Sequence, residues 1–141
     1  MNTPLYQRAD LGAVFLPIGN MLQIDRVTDA SDAHITCELD LAEHWVFPMH
    51  FPNDSIFPGS LLIEAAGQAV AIWGWHQGLR GKPRMANVSA EFSSPIVPTD
   101  LVVTFNARVR QRKNMCLGKV EITAAGRKTA AVQTMIVILP E

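Results

Sequence analysis

The residues that could do chemistry are gathered in "HFPNDSIFPGSLLIEAAGQ", residues 50–68. His50 stands in a Pro-rich stretch, Pro58-Gly59 forms a turn, and Glu64 interrupts the apolar run that follows. An imidazole with an ordinary pKa of about 6.5 can take a proton near neutral pH. A carboxyl on an apolar helix has its pKa raised by desolvation, so it can hold a proton and donate it. The N–H of a glycine in the first helical turn points along the positive end of the helix dipole, where an oxyanion gathers. A base, an acid and a donor for developing negative charge are three complementary roles. An unpaired buried carboxylate is also expensive, which argues against Glu64 standing there by chance.

Each residue has a plainer reading. His50 alone is a loop histidine with a local hydrogen bond, and Glu64 alone is a satisfied core carboxylate or an interface ion pair. Gly59 also serves as a steric helix start. Gln68 lies one helical turn beyond Glu64, where its side chain would orient the carboxylate, a structural role. His34, His44 and His76 share no metal spacing and read as solvated or hydrogen-bonded; His76, at the helix end, meets the negative end of the dipole. Trp73 and Trp75 read as core or interface packing. Small residues Ala65, Ala66, Gly67 and Ala69 leave room for a tunnel or for close helix packing.

The elements that must position these groups follow from patterning. Ser60 to about Gln77 predicts a helix started by Pro58 and Gly59, apolar around nearly its whole circumference and therefore buried. Gly78 and Gly81 end it. "HITCELDL" alternates as a half-buried strand, and Met21–Val27 reads as another. After the helix come Arg84–Ser93, the turn "PIVPTD", and the strands "LVVTFNARVRQ", "MCLGKVEITAAG" and "TAAVQTMIVIL", with turns at "RQRKN" and "AAGRKT". This order predicts an α+β domain, residues 1–141, in which a curved antiparallel sheet wraps one long apolar helix. One helix cannot cover both faces of a sheet, so dimerisation is expected to bury more.

Bulk properties narrow the function classes. The chain has 141 residues, 48% apolar and 18% charged, enough for a sizeable core. A net charge of −1 gives no overall pull toward nucleic acid or an anionic membrane. Cys37 and Cys116 are far apart and read as reduced core thiols, with no metal site. "MNTPLYQRAD" lacks the basic start and apolar run of a signal peptide, so a cytoplasmic protein is expected. Ile56–Trp75 has about the length of a membrane span, but Pro58, Glu64 and Gln68 fall within it.

The stretch resembles the signature of the beta-hydroxyacyl-ACP dehydratases of bacterial fatty acid synthesis, which have the hotdog fold. His50, Phe51, Pro52, Pro58, Gly59, Glu64 and Gln68 match at the family spacing. "LPIGNMLQIDRV" and "AEFSSPIVPTD" resemble the flanking segments, so the likeness covers nearly the whole chain. The resemblance implies that His50 and Glu64 are the catalytic pair, that the Gly59 N–H polarises the thioester carbonyl, and that Phe51, Pro58 and Gln68 support them. It implies elimination of water from a 3-hydroxyacyl thioester to a trans-2-enoyl thioester, without a cofactor. A base at C2, an acid at the departing hydroxyl and an enolate stabiliser then correspond to His50, Glu64 and Gly59. In an alternative division, His50 and Glu64 both handle the hydroxyl through a water. It also implies that His50 and Glu64 of one site come from opposite subunits of a dimer, alone or in a trimer of dimers.

The partner implied is an acyl carrier protein bearing a phosphopantetheine-linked acyl group. Arg108, Arg110, Arg112 and Lys113, with Arg80, Lys82 and Arg84, are its candidate docking cations; most such runs are simply solvated. Met49 and Asn53 stand where the family has glycines, Ser93 and Ser94 where it often has basic residues, and Glu91 where it often has arginine. "KPRMANVS" lacks the aromatic residue of the gating loop. These departures leave the acid–base pair in place and point to a specialised polyketide or aryl polyene pathway. Two rivals stand beside this reading: a thioesterase on the same fold, and a non-catalytic acyl-binding subunit in a hetero-oligomer with an active dehydratase.

Overall fold

In a computed structural model, residues 3–141 are described. Met1 and Asn2, the start of the N-terminal stretch read above for a leader, lie outside the described residues. The elements are β1 (Tyr6–Gln7), β2 (Arg26–Ala30), β3 (His34–Asp40), α1 (Gly59–His76), β4 (Lys82–Phe92), β5 (Val102–Arg112), β6 (Met115–Ala124) and β7 (Arg127–Leu139), with three short 3₁₀ turns. The strands form one antiparallel sheet in the order β1-β2-β3-β5-β6-β7-β4, and α1 packs against β3 to β7. This is the hotdog arrangement expected from sequence.

Period-two alternation decides which face meets the helix. Val103, Phe105, Ala107 and Val109 of β5 are buried, as are Cys116, Val120, Ile122 and Ala124 of β6. The helix supplies Leu62, Ala65, Ala66, Ala69, Val70, Ile72 and Trp73 to the same core. The approach is close at Gly118, where an added Cβ would stand 2.4 Å from Val70 Cγ2. Between β6 and β7, Ala125 and Gly126 both take positive φ (50° and 77°), the two-residue turn that suits the twist of a hairpin.

The sequence placed the helix at 60–77, and it spans 59–76. The second strand starts later than the Met21–Val27 expectation, because the backbone before it is bonded elsewhere. Arg8 donates to the carbonyls of Gly19, Leu22 and Ile24, and the Gln23 N–H donates to the Gln68 side chain. The Gln23 N–H, spent that way, cannot join a ladder. Trp73 is fully buried and its Nε1–H donates to the Ser31 carbonyl at 2.8 Å. His76 is bonded through Nδ1 to the Tyr6 hydroxyl at 2.6 Å. Cys37 and Cys116 are both buried and free, and burial pushes the Cys116 thiol up to about 11.

β4 differs from the other long strands. It pairs with β7 on one side only, and most of its residues are exposed, Met85, Val88 and Phe92 among them. An eleven-residue edge carrying apolar side chains is a template for another chain. No helix among the described residues is long and apolar enough to cross a membrane.

Candidate functional site

His50 sits in a tight loop between β3 and α1. Its N–H donates to the Val46 carbonyl at 3.0 Å, its carbonyl accepts from Ile56 N–H at 2.8 Å, and the Phe51–Asp54 pair closes the loop. The peptide bond after His50 is cis. The imidazole Nδ1 lies 3.0 Å from the Ile56 carbonyl. A carbonyl only accepts, so Nδ1 carries the proton and, in the neutral ring, Nε2 is left with its lone pair. The ring stacks on Phe51, with centroids 4.3 Å apart. Met49 and Phe51 beside it are 68% and 50% exposed, so this loop presents the histidine within an open apolar surface.

Glu64 is held from the opposite direction. It lies on α1 at half-burial, less enclosed than its apolar helix suggests, and Gln68 Nε2 donates to its Oε2 at 2.8 Å. Gln68 itself is 3% exposed. Its other Nε2 proton goes to the Met21 carbonyl at 2.8 Å, and its Oε1 accepts the Gln23 N–H at 2.8 Å. A flipped amide would set donor against donor at Gln23 and acceptor against acceptor at the other two contacts. The orientation is therefore fixed, with an N–H aimed at Glu64. Oε2 accepts that bond, and no hydrogen-bond donor among the described residues reaches Oε1.

Glu64 borders a cavity of about 370 Å³ lined by Phe15, Leu16, Gly67, Gln68 and Met85, among others. His50 is not among its walls. Within one chain, then, the structure does not bring the two residues to one cavity. Larger grooves lie on the outer face of the sheet, around Arg108, Arg110 and Lys119. They hold neither His50 nor Glu64.

Gly59 opens the helix, with Pro58 preceding it in extended conformation and buried. Among the described residues no acceptor takes the Gly59 N–H, as expected for the first turn of a helix. A Cβ on Gly59 would stand 2.9 Å from the Phe92 ring of β4, so the glycine lets that ring close over the helix start.

The candidate docking cations separate. Arg108, Arg110 and Arg112 are exposed on β5, followed by Lys113 in the β5–β6 turn. Arg80 is committed to the end of α1: its guanidinium lies 4.9 Å over the Trp75 ring and donates to the Trp75 and Leu79 carbonyls. Lys82 begins β4, and Arg84 borders the Glu64 cavity.

Sequence reasoning passed over Gln23 and read its partner His44 only as a solvated or hydrogen-bonded histidine. Gln23 is fully buried, and its Oε1 lies 3.0 Å from His44 Nε2. Its Nε2 donates to the Asn20 carbonyl at 2.7 Å. His44 Nδ1 in turn accepts the Val46 N–H at 3.1 Å. The signal available was a polar residue between Leu22 and Ile24 in an otherwise apolar run.

Solved structures of similar shape are distant in sequence. The dehydratase heterocomplex ApeI:P from Xenorhabdus doucetiae matches with a TM-score of 0.75 and 17% identity, covering 100% of this chain and 94% of that one. AziG from S. sahachiroi matches with a TM-score of 0.59 and 20% identity, over 82% and 90% of the two chains. A thioesterase from Haemophilus influenzae gives a TM-score of 0.64 and 11% identity, over 82% and 78%. At such identities the likeness establishes the fold, which both dehydratases and thioesterases use. Residues 16–133, most of the chain and all the elements that carry His50, Gly59 and Glu64, match the FabA-like domain, and the protein belongs to that hotdog dehydratase family.

Proposed function

We propose that the protein dehydrates a 3-hydroxyacyl thioester, carried by an acyl carrier protein, to the trans-2-enoyl thioester. The observation that carries this reading is the complementary set of hydrogen bonds on the two titratable groups. His50 spends Nδ1–H on Ile56 and keeps Nε2 as a base, while Glu64 accepts from Gln68 on Oε2 and keeps Oε1 for a proton. His50 Nε2 takes the C2 proton, the C3–O bond breaks, and the hydroxyl leaves as water with the proton from Glu64. The enolate oxygen formed between these events is stabilised by the Gly59 N–H at the positive end of α1. Proton return from the imidazolium to Glu64 through water closes the cycle. No atoms are gained or lost beyond the water.

A second chain completes this site. His50 is absent from the walls of the Glu64 cavity, and the unpaired edge of β4, with Met85 and Phe92 reaching toward α1, lies beside that cavity. Pairing through β4 with a copy or a related subunit brings a foreign His50 loop to Glu64. The exposed β5 arginines supply positive charge for an acidic carrier.

The test is turnover of 3-hydroxyacyl thioesters of several chain lengths, followed by appearance of the conjugated enoyl product. Enoyl formation that disappears in Glu64→Gln supports the proposal. Release of free thiol would assign thioester hydrolysis instead, and acyl binding without either product would assign a binding subunit.

A further inference from the structure

We infer that His44 and Gln23 are positioning residues for Glu64, acting through Gln68. The inference rests on the dehydratase reading for its kinetic consequence, but its geometry stands apart from that reading. Gln68 is oriented by two backbone groups, the Met21 carbonyl and the Gln23 N–H. Both belong to the irregular segment 20–24 ahead of β2, which has no strand ladder to hold it. Arg8 and Trp45 hold carbonyls of that segment from outside, and the Gln23 side chain ties it inward, to Asn20 and to the His44 ring. His44 thus sets the turn, the turn sets Gln68, and Gln68 sets the Glu64 oxygen.

The His44 end of the chain has a defined polarity. Nδ1 accepts the Val46 N–H, so it bears no proton, and Nε2–H donates to Gln23 Oε1. This is the neutral ring. Protonating His44 would put a hydrogen on Nδ1 against the Val46 N–H and break that contact. The ring packs against Trp45, Phe47 and Phe57, and the charged groups facing it are Asp25 and Arg8. Burial holds its pKa below the ordinary histidine value; Asp25 opposes this and Arg8 adds to it. The neutral ring is therefore favoured in the folded chain. Its contribution is complete above the unfolded pKa of about 6.5 and declines as pH falls toward the lower folded value.

The experiment compares the full-length protein with His44→Phe, His44→Gln, Gln23→Met and Glu64→Gln. Glutamine at 44 can offer an N–H to Gln23 and a carbonyl to Val46, without a titrating ring. His44→Phe and Gln23→Met are expected to lower kcat on the order of 10- to 100-fold, the scale of a small misplacement of a reacting group, with KM changed less than about twofold. His44→Gln is expected to retain kcat at neutral pH. A lowered melting temperature in His44→Phe with kcat and KM both unchanged would overturn the inference, since a purely structural role behaves that way.

The side-chain amide protons of Gln68, followed by NMR, give a readout without turnover. They are expected to exchange slowly in the wild type and in His44→Gln, and rapidly in His44→Phe. If the wild type turns over no 3-hydroxyacyl thioester, the functional reading fails. The amide readout still decides the positioning: faster exchange in His44→Phe upholds it, and unchanged exchange overturns it.

Discussion

The two proposed reacting groups are supported in opposite ways. Glu64 is anchored inward, through Gln68 to Met21 and Gln23 and on to His44, every link within one chain and largely buried. His50 is anchored by a single side-chain bond to its own loop, beside Met49 and Phe51 that face outward. One half of the proposed site is finished by the fold. On the proposed reading, a second chain completes the other half. The difference teaches where assembly enters: a loop carrying exposed apolar residues can be offered to a neighbour, whereas a helix clamped at the core cannot move to meet it.

The comparison can be broken most directly at the groups themselves. Glu64→Gln keeps the side-chain shape and a hydrogen-bond acceptor but has no proton to give, and His50→Ala removes the base. Each is expected to lower the dehydration rate on the order of 10²- to 10⁴-fold with the melting temperature little changed. A stopped assay on carrier-linked substrate checks this. Equal activity in wild type and Glu64→Gln would sink the assignment.

Mixing the two inactive chains sharpens it. If His50 of one chain serves Glu64 of another, co-refolding His50→Ala with Glu64→Gln rebuilds one intact site in each mixed dimer. Activity should recover to about a quarter of wild type for random twofold pairing. No recovery would place both groups of a site on one chain.

Gly59 tests the boundary between the halves, since its neighbour Phe92 stands on the edge strand. Gly59→Ala drives a methyl to 2.9 Å from the Phe92 ring and is expected to cost about 1–3 kcal/mol. Adding Phe92→Leu should restore most of that loss in denaturant unfolding. A Gly59→Ala chain as stable as wild type would show that the ring yields freely.

Carrier docking predicts a more selective effect. Arg108→Glu with Arg110→Glu should raise KM for a carrier-bound substrate several-fold while leaving turnover of a short thioester mimic unchanged. A parallel loss on both substrates would remove these arginines from docking.

The smallest effect belongs far from the site, where Arg127 clamps Asp100 at 2.8 and 2.9 Å. The guanidinium beside it holds the Asp100 carboxyl below the usual range. A depressed carboxylate contributes stability that is present above its unfolded pKa of about 3.9 and is lost as pH falls through the folded value. Arg127 is partly exposed, so the pair is screened by solvent and its contribution is small. Asp100→Asn should lower stability only slightly at pH 7, leave kcat unchanged, and flatten the loss of stability below pH 4 in urea titrations.

Much of the fold was legible because it is local. The helix boundaries came within one residue at each end, since Pro58-Gly59 and Gly78 punctuate an apolar run. The three C-terminal strands followed from alternation and turn residues. The strand expected at Met21–Val27 starts instead at Arg26, because its backbone is bonded to Arg8 and Gln68, partners 16 and 45 residues away. No local pattern reports such a pairing. The depth of Glu64 was also misjudged: an all-round apolar helix suggests full burial, yet the carboxylate opens onto a cavity beside the exposed edge strand.

By itself, the sequence determined the element order, the apolar helix, and the types and spacing of His50, Gly59 and Glu64, because these depend on periodicity and on residues near one another in the chain. Only the tertiary structure decided which imidazole nitrogen is free, which Glu64 oxygen is taken, and that Gln23 and His44 stand behind Gln68. Hydrogen-bond polarity is set by the group across the contact, and here most of those groups arrive from distant segments.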